Sequence, residues 1–478
     1  MQERLQASNY RPERAIQEIA DFIADPVRPA DFPQTILRFR NDTAAATVGL
    51  DGLTDAEWIA HFGRFEPLAD AQPEPLALRY HGHQFRVYNP DLGDGRGFLY
   101  AQLRESEEAG GRLLDLGTKG SGLTPYSRTA DGRLTLKGAV REILATEMLE
   151  ALGVTTSRTF SVIETGEQLV RGDEPSPTRS AVLVRLSHGH IRIGSFQRLA
   201  AYGDQESLAR LTNYCLRQLL DLEPGPSPAL TLLEAVVARA ADLAASYMVA
   251  GFVHGVLNSD NIAITAESFD YGPWRFTPTW APGFTAAYFD QTGLYSFSRQ
   301  AEAIHWDVAQ LAQSLQELAD VEALVEILRR FPAIYEERLI ARFLWRAGFH
   351  APDATAARAF AETAVIALRG SDVLIDQFFH DVRRDALSSA TYAGEPWDAV
   401  RAALAVLTPR PGHLDHEYWN RQTPCSMHID EVETIWSAIA ERDDWEPLHM
   451  KIFAVRTMGE ALGGALGMQS GQLTLSER

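Results

Sequence analysis

His254-Gly-Val-Leu-Asn-Ser-Asp-Asn261, followed by Phe269-Asp-Tyr-Gly272, decides how this chain is read. The stretch puts a carboxylate and an amide side by side, Asp260 and Asn261, on a predicted loop. A short apolar strand, Ile262-Ala-Ile264, is expected next, with a second carboxylate, Asp270, beyond it. Enzymes that transfer part of a nucleotide need such a set: one carboxylate to orient or deprotonate a hydroxyl, and hard oxygen ligands for magnesium. On that reading Asp260 is the base, and Asn261 and Asp270 are the ligands. The competing reading is a turn in which Asp and Asn cap their own backbone. A helix is predicted to lead into the stretch. It opens at Thr231-Leu-Leu-Glu234, which has the form of a capping box, and stops at Gly251.

Outward from this loop, the next informative residue is a lysine. Of 44 basic residues only three are lysines, Lys119, Lys137 and Lys451, so each invites the question of what an ammonium does that a guanidinium cannot. Lysine is a compact point charge suited to phosphate oxygens, whereas Arg is a broad planar fork. Lys119 closes Leu113-Leu-Asp-Leu-Gly-Thr-Lys119, a strand by alternation, on the face opposite Leu114 and Leu116. The alternative is a surface lysine retained by chance. Upstream, Leu92-Gly-Asp-Gly-Arg-Gly97 reads as a glycine-rich turn between two extended segments. Gly93 and Gly95, with Arg96, would let backbone amides approach a phosphate; an ordinary hairpin would look the same.

Downstream, Leu134 to Leu152 is a predicted helix, with Val140, Leu144 and Met148 at intervals of four and Gly153 as its stop. Glu142 shares a flank with Ala145 and Leu149, and a carboxylate so placed needs a partner. Glycine-rich turn, strand lysine and helix glutamate is the order found in protein kinases, where the Lys–Glu pair positions ATP. Asp131-Gly132, between lysine and helix, is either a further polar contact or a plain turn. Ala181-Val-Leu-Val-Arg185 is a buried strand ending in a charge, and Arg192 follows in Ile191-Arg-Ile-Gly-Ser195. Two such arginines either clamp a phosphate or pair with structural acids. His188 and His190, flanking the turn between them, read as structural.

Composition narrows the function classes. The chain has 478 residues, room for about three domain-sized units. Its net charge of −20 argues against a nucleic-acid or anionic-membrane binder. No apolar run reaches membrane-spanning length or resembles a signal peptide, so a soluble cytoplasmic protein is expected. Cys215 and Cys425 lie far apart without metal-ligand spacing, which leaves no disulfide framework or zinc site. Ile304, Val308, Leu311, Leu315 and Leu318 mark a further amphipathic helix.

Taken together, the motifs resemble the selenoprotein O family, also called YdiU, of kinase-like protein adenylyltransferases. The resemblance rests on His81-Gly-His-Gln-Phe85, Tyr88-Asn-Pro-Asp-Leu-Gly-Asp-Gly-Arg96, Lys119-Gly-Ser-Gly-Leu-Thr-Pro-Tyr-Ser-Arg128, Asp131-Gly-Arg133, Arg141-Glu142, Ile191-Arg-Ile-Gly-Ser-Phe196 and the two stretches quoted first. It implies an α+β, protein-kinase-like bilobal fold with a mixed N-lobe sheet, a mainly helical C-lobe and a helical C-terminal extension. The expected divisions are an N-terminal extension (1–75), a nucleotide-binding N-lobe (76–200), a catalytic C-lobe (201–330) and a helical C-terminal region (331–478). ATP would bind turned around relative to a kinase, and AMP would pass to Ser, Thr or Tyr hydroxyls of proteins while pyrophosphate leaves.

The resemblance further implies Asp260 as catalytic base and Asn261 and Asp270 as ligands of magnesium, with manganese as the alternative ion. Gly93, Gly95, Arg96, Lys119, Asp131, Gly132 and Asp270 would contact the nucleotide, Glu142 would pair with Lys119, and Arg185 and Arg192 would hold the terminal phosphate. The chain departs from the family pattern at Leu114, Gly117 and Thr118, at Ala301 after Gln300, and in a short C-terminal part with no terminal cysteine. Gly117 is expected to loosen its strand. Two other classes stay open: a kinase-like phosphotransferase moving the γ-phosphoryl group, and a non-catalytic ATP-binding pseudokinase scaffold. Asn261 directly after Asp260, and the paired arginines, argue against the first; the metal ligands argue against the second.

Overall fold

Among the described residues, eleven strands arise in the first part of the chain. They are β1 (Pro12–Glu13), β2 (Ala24–Pro26), β3 (Ile36–Arg40), β4 (Leu76–Leu78), β5 (Gly82–Gln84), β6 (Val87–Asn89), β7 (Leu99–Arg104), β8 (Leu113–Lys119), β9 (Leu134–Thr135), β10 (Arg158–Leu169) and β11 (Thr178–Ser187). Nine form one antiparallel sheet in the order β2-β4-β7-β8-β11-β10-β3, with β1 beside β7 and β9 beside β11, whereas β5 and β6 make a hairpin of their own. The computed structural model describes residues 9–172 and 174–463; the outermost parts of the expected N- and C-terminal regions lie outside the described residues.

Alternation in β8 separates two cores. Leu114 and Leu116 join Trp58, Phe62, Phe160, Val182 and Val184 on one face, whereas Leu113 and Leu183 join Val140, Ile143 and Leu144 on the other. The register pairs Leu183 with Lys119 and Arg185 with Gly117. Lys119 and Arg185 therefore stand on one face, toward α1 (Leu136–Ala151), which Thr135 caps by accepting from the Gly138 amide. Residues before 76 are woven into the same sheet through β1, β2 and β3, and helix Asp55–Phe62 supplies Trp58 and Phe62 to the outer core.

The following part is helical. α2 (Ile193–Ala201) and α3 (Pro228–Ala250) precede the Asp260 loop, and α4 (Gln300–Ser314) follows it. α3 starts three residues before Thr231, so the expected capping box is not formed. Pro228 occupies its first turn instead, where a missing N–H costs nothing. The expected strand at Ile262–Ile264 is likewise reduced to one bridge, Arg192 to Ala263. The chain turns away at once through Ala266, whose φ is 54°. The lead-in to the glycine-rich turn is the β5–β6 hairpin and a single bridge between Arg79 and Gly93. Near the C-terminus, helix Glu446–Leu462 lies along α1, where Arg456 donates to both oxygens of Glu147 at 2.8 and 2.6 Å.

Candidate active site

Lys119 is the hub. Its Nζ lies 2.7 Å from Glu142 Oε2 and 2.9 Å from Asp270 Oδ1, which joins strand, helix and the segment after the Asp260 loop. Arg185 Nη1 stands 3.7 Å from both Glu142 Oε1 and Asp270 Oδ1, so two cations share two carboxylates. Burial alone would raise the Asp270 pKa, but Lys119, Arg185, Arg96 and Arg192 overcome it and hold the carboxyl well below the usual range. Asp270 also sits at φ 62°, a left-handed backbone that a non-glycine residue adopts at some cost.

Arg192 extends this positive wall. It is buried between Tyr80 (4.2 Å to the ring centre) and Phe269 (5.0 Å), donates to the Asp260 carbonyl at 3.0 Å, and faces Asp94 Oδ1 at 3.4 Å. His254 ties the two halves of the motif together. Its Nε2 donates to the Phe269 carbonyl at 3.0 Å, and its backbone N–H donates to Gln300 Oε1 at 3.0 Å. Burial lowers the His254 pKa, so the ring is a neutral donor rather than a charge.

Asp260 is the opposite case. It is buried, its Oδ1 has no hydrogen-bond partner among the described residues, and burial raises its pKa to about 6 against the pull of Arg192. A carboxylate of that proton affinity suits a general base near neutral pH. Asn261 Nδ2 donates to the Val256 carbonyl at 3.1 Å, which orients its amide oxygen away from that bond as a donor a metal ion could use. Asn261 and Asp270 thus offer two hard oxygens. Among the described residues no cluster of three or more His, Cys, Asp or Glu is placed to hold a metal ion. That donor set fits magnesium, which takes its remaining ligands from phosphate and water.

The glycines answer to packing. A Cβ on Gly93 would meet the Tyr126 ring at 2.3 Å, and one on Gly95 would meet the Tyr126 carbonyl at 3.0 Å. The Arg96 carbonyl accepts from Gly120 at 2.6 Å, which fixes the turn against the end of β8. Asp131 pairs with Arg171 at 2.8 Å, and Gly122 N–H donates to the Gly132 carbonyl at 3.2 Å. Gly117 does not loosen β8. A Cβ there would lie 2.0 Å from His190 Nε2, and the ring that fills this space accepts from Arg185 Nε at 3.3 Å. His190 is held in turn by Asp115, which accepts from its backbone N–H at 2.9 Å. His190 is structural, as expected, and its structure is the backing of Arg185.

Sequence reasoning passed over Asp94, Asp115, Gln197, Asn258, Ser259 and Gln300. Ser259 Oγ donates to Gln197 Oε1 at 2.6 Å and accepts from the His83 backbone at 2.7 Å. Asn258 Oδ1 accepts from Tyr295 Oη at 2.7 Å and from the Phe85 backbone at 3.1 Å. The available signal was adjacency: Asp94 lies between Gly93 and Gly95, and Asn258 and Ser259 precede Asp260.

A sheet lysine paired to a helix glutamate, with an Asp-Asn loop and a further aspartate beyond, defines a protein-kinase-like α+β fold. A family model described as protein adenylyltransferase SelO matches residues 5–399. The chain is 41% identical over 470 residues to a protein nucleotidyltransferase YdiU of Trichodesmium erythraeum (strain IMS101), covering 92% of this chain and 97% of that protein. It is 43% identical over 471 residues to the protein of the same name in Gloeobacter violaceus (strain ATCC 29082 / PCC 7421), covering 94% and 95%. The chain belongs to the SelO family of protein adenylyltransferases and is a nucleotidyltransferase. Among solved structures, ROP2 of Toxoplasma gondii, a virulence factor with a protein-kinase fold and no enzymatic activity, matches at 13% identity and a TM-score of 0.25 over 73% of this chain and 89% of that one. So slight a likeness adds nothing to the fold, which rests on strand order and the Lys119–Glu142 pair.

Proposed function

We propose that the protein transfers AMP from ATP to Ser, Thr or Tyr hydroxyls of other proteins, with magnesium bound and pyrophosphate released. The observation that carries this reading is the cluster of buried cations: Lys119 and Arg185 face Asp270, and Arg192 donates to the Asp260 carbonyl. Arg185 and Arg192 would take the terminal phosphates, which turns the α-phosphorus toward Asp260. Gly93, Gly95, Arg96, Asp131 and Gly132 would line the remainder of the nucleotide site. Asp260 accepts the proton of the acceptor hydroxyl as its oxygen attacks the α-phosphorus. The bond from the α-phosphorus to the bridging oxygen breaks, and its electrons leave with pyrophosphate. Asn261 and Asp270 would hold the magnesium, or manganese in its place, which supplies charge neutralisation at the phosphate oxygens.

No helix among the described residues is long and apolar enough to cross a membrane. The net charge of −20 disfavours nucleic acid and anionic membranes as partners, and the acceptors we propose are proteins of the cytoplasm. Phosphorus NMR of the products tests the reaction. Pyrophosphate, formed only with magnesium and abolished by EDTA, is the expected product; ADP as the sole product would overturn the reading in favour of γ-phosphoryl transfer.

A further inference from the structure

The β5–β6 hairpin stands apart from the main sheet and is seated on the loop that carries Asp260. A Cβ on Gly82 would lie 2.9 Å from Asp260 Cβ, and the His83 and Phe85 amides donate to Ser259 and Asn258. The two turn residues, Phe85 (φ 51°) and Arg86 (φ 63°), both adopt the left-handed backbone that tight hairpins usually give to Asn or Gly. Strain of this kind persists where neighbours hold it. Phe85 packs on Phe289 and Tyr295 at 5.9 and 5.1 Å between ring centres, and Arg86 pairs with Glu302 at 2.9 Å.

What the hairpin leaves uncovered is apolar. Val87 is 70% exposed, Tyr288 84% and Tyr202 65%, and Tyr88 and Phe289 are also open to solvent. Two aromatic groups adjoin the hairpin: Tyr202 and Tyr88 both touch His81, and Tyr288 touches Phe289, which packs on Phe85. The outer edge of β6 pairs with no strand among the described residues. Arg198 lies 4.9 Å from the Tyr202 ring centre and has no carboxylate within ion-pairing distance among the described residues, in a chain of net charge −20.

We propose that this surface is the acceptor platform: an extended segment of the substrate protein adds to the edge of β6, sets an aromatic or aliphatic side chain among Val87, Tyr88, Tyr288 and Phe289, and places an acidic residue near Arg198. The inference rests on the AMP-transfer reading of Asp260. Edge addition supplies main-chain affinity, and the side-chain contacts supply selectivity. Strands lie about 4.8 Å apart, so a strand beyond β6 runs about 10 Å from β5, whose Gly82 adjoins Asp260. The segment must leave that edge and cross about this distance toward Asp260, which takes about three extended residues, so the modified hydroxyl belongs about three residues from the anchor.

The test uses the full chain with magnesium, ATP labelled at the α-phosphate, and positional-scanning peptides around a fixed Ser, Thr or Tyr. Wild type is expected to favour an aromatic or aliphatic residue two to four positions from the hydroxyl (about 10 Å at roughly 3.3 Å per residue), together with acidic residues. Tyr288→Ser with Phe289→Ser should lower kcat/KM for the favoured peptide at least about tenfold and leave ATP affinity unchanged. Arg198→Glu should shift the preference from acidic to basic residues, and it leaves the hairpin packing untouched. Wild type that labels peptides without positional preference, or folded variants that keep the wild-type kcat/KM and preference, would overturn the platform alone. Wild type that labels no peptide from ATP labelled at either the α- or the γ-phosphate would overturn the transfer reading and the platform with it.

Discussion

The two sides of the site treat their aspartates oppositely. On the cationic side, the proposed phosphate side, Asp270 is enclosed by Lys119 and Arg185 and kept anionic. On the other, the proposed acceptor side, Asp260 is buried with one oxygen unpartnered among the described residues, and its pKa rises to about 6. Each environment suits one role, since a metal ligand must stay charged, whereas a base must be able to take a proton. The difference comes from where the sheet puts its cations. Lys119 and Arg185 share the inner face of β8 and β11, and of the two aspartates it is Asp270 that reaches them, beside Glu142.

Removing either aspartate breaks the contrast most severely. Asp270→Ala and Asp260→Ala should each lower AMP transfer by about a thousandfold or more, measured with labelled ATP, while the protein stays folded by circular dichroism. Lys119→Arg should lower transfer by roughly tenfold to a hundredfold, because a planar fork does not fit between Glu142 and Asp270 as a point charge does. Wild-type activity in that variant would mean that the ammonium is incidental.

Acidity separates the two aspartates without mutation. Asp260 is progressively protonated below pH about 6, so with Asp260 as the proposed base the transfer rate should fall about fivefold between pH 6 and pH 5. The same shift has a stability sign. Because the folded pKa lies above the unfolded value of 3.8, ionising Asp260 costs the folded state about 3 kcal/mol at neutral pH. That cost is absent below pH 3.8, grows between pH 3.8 and about 6, and is fully present above it. Asp260→Asn should therefore raise the melting temperature at pH 7.5 and raise it less at pH 4.5. Equal effects at both would remove burial as the cause. The smallest effect is expected at Gly117→Ala, where displacing His190 should cost about 1–3 kcal/mol of stability and loosen Arg185.

Most of the site was legible because its residues sit in local patterns. Lys119 ends an alternating strand, Glu142 lies on an apolar helix flank, and Asp260 and Asn261 are adjacent. The parts that were not legible depend on distant contacts. Gly117 looks like a weak point until His190 fills the space above it, and Asp94 looks like a turn residue until Arg192 reaches it. Likewise, nothing local shows that residues before 76 supply β1, β2 and β3 to the sheet, or that Gln300 holds the His254 backbone. The capping box at Thr231 and the strand at Ile262 had local signals that the chain does not use. Pro228 starts α3 earlier, and the turn at Ala266 leaves room for one bridge only.

In the proposed reaction the cationic side turns the α-phosphorus of ATP toward Asp260. Incubating the protein with magnesium, an acceptor protein and ATP labelled at either the α- or the γ-phosphate tests it directly. Covalent label from the α-position alone, lost in Asp260→Ala, is the predicted result; covalent label from the γ-position would contradict it.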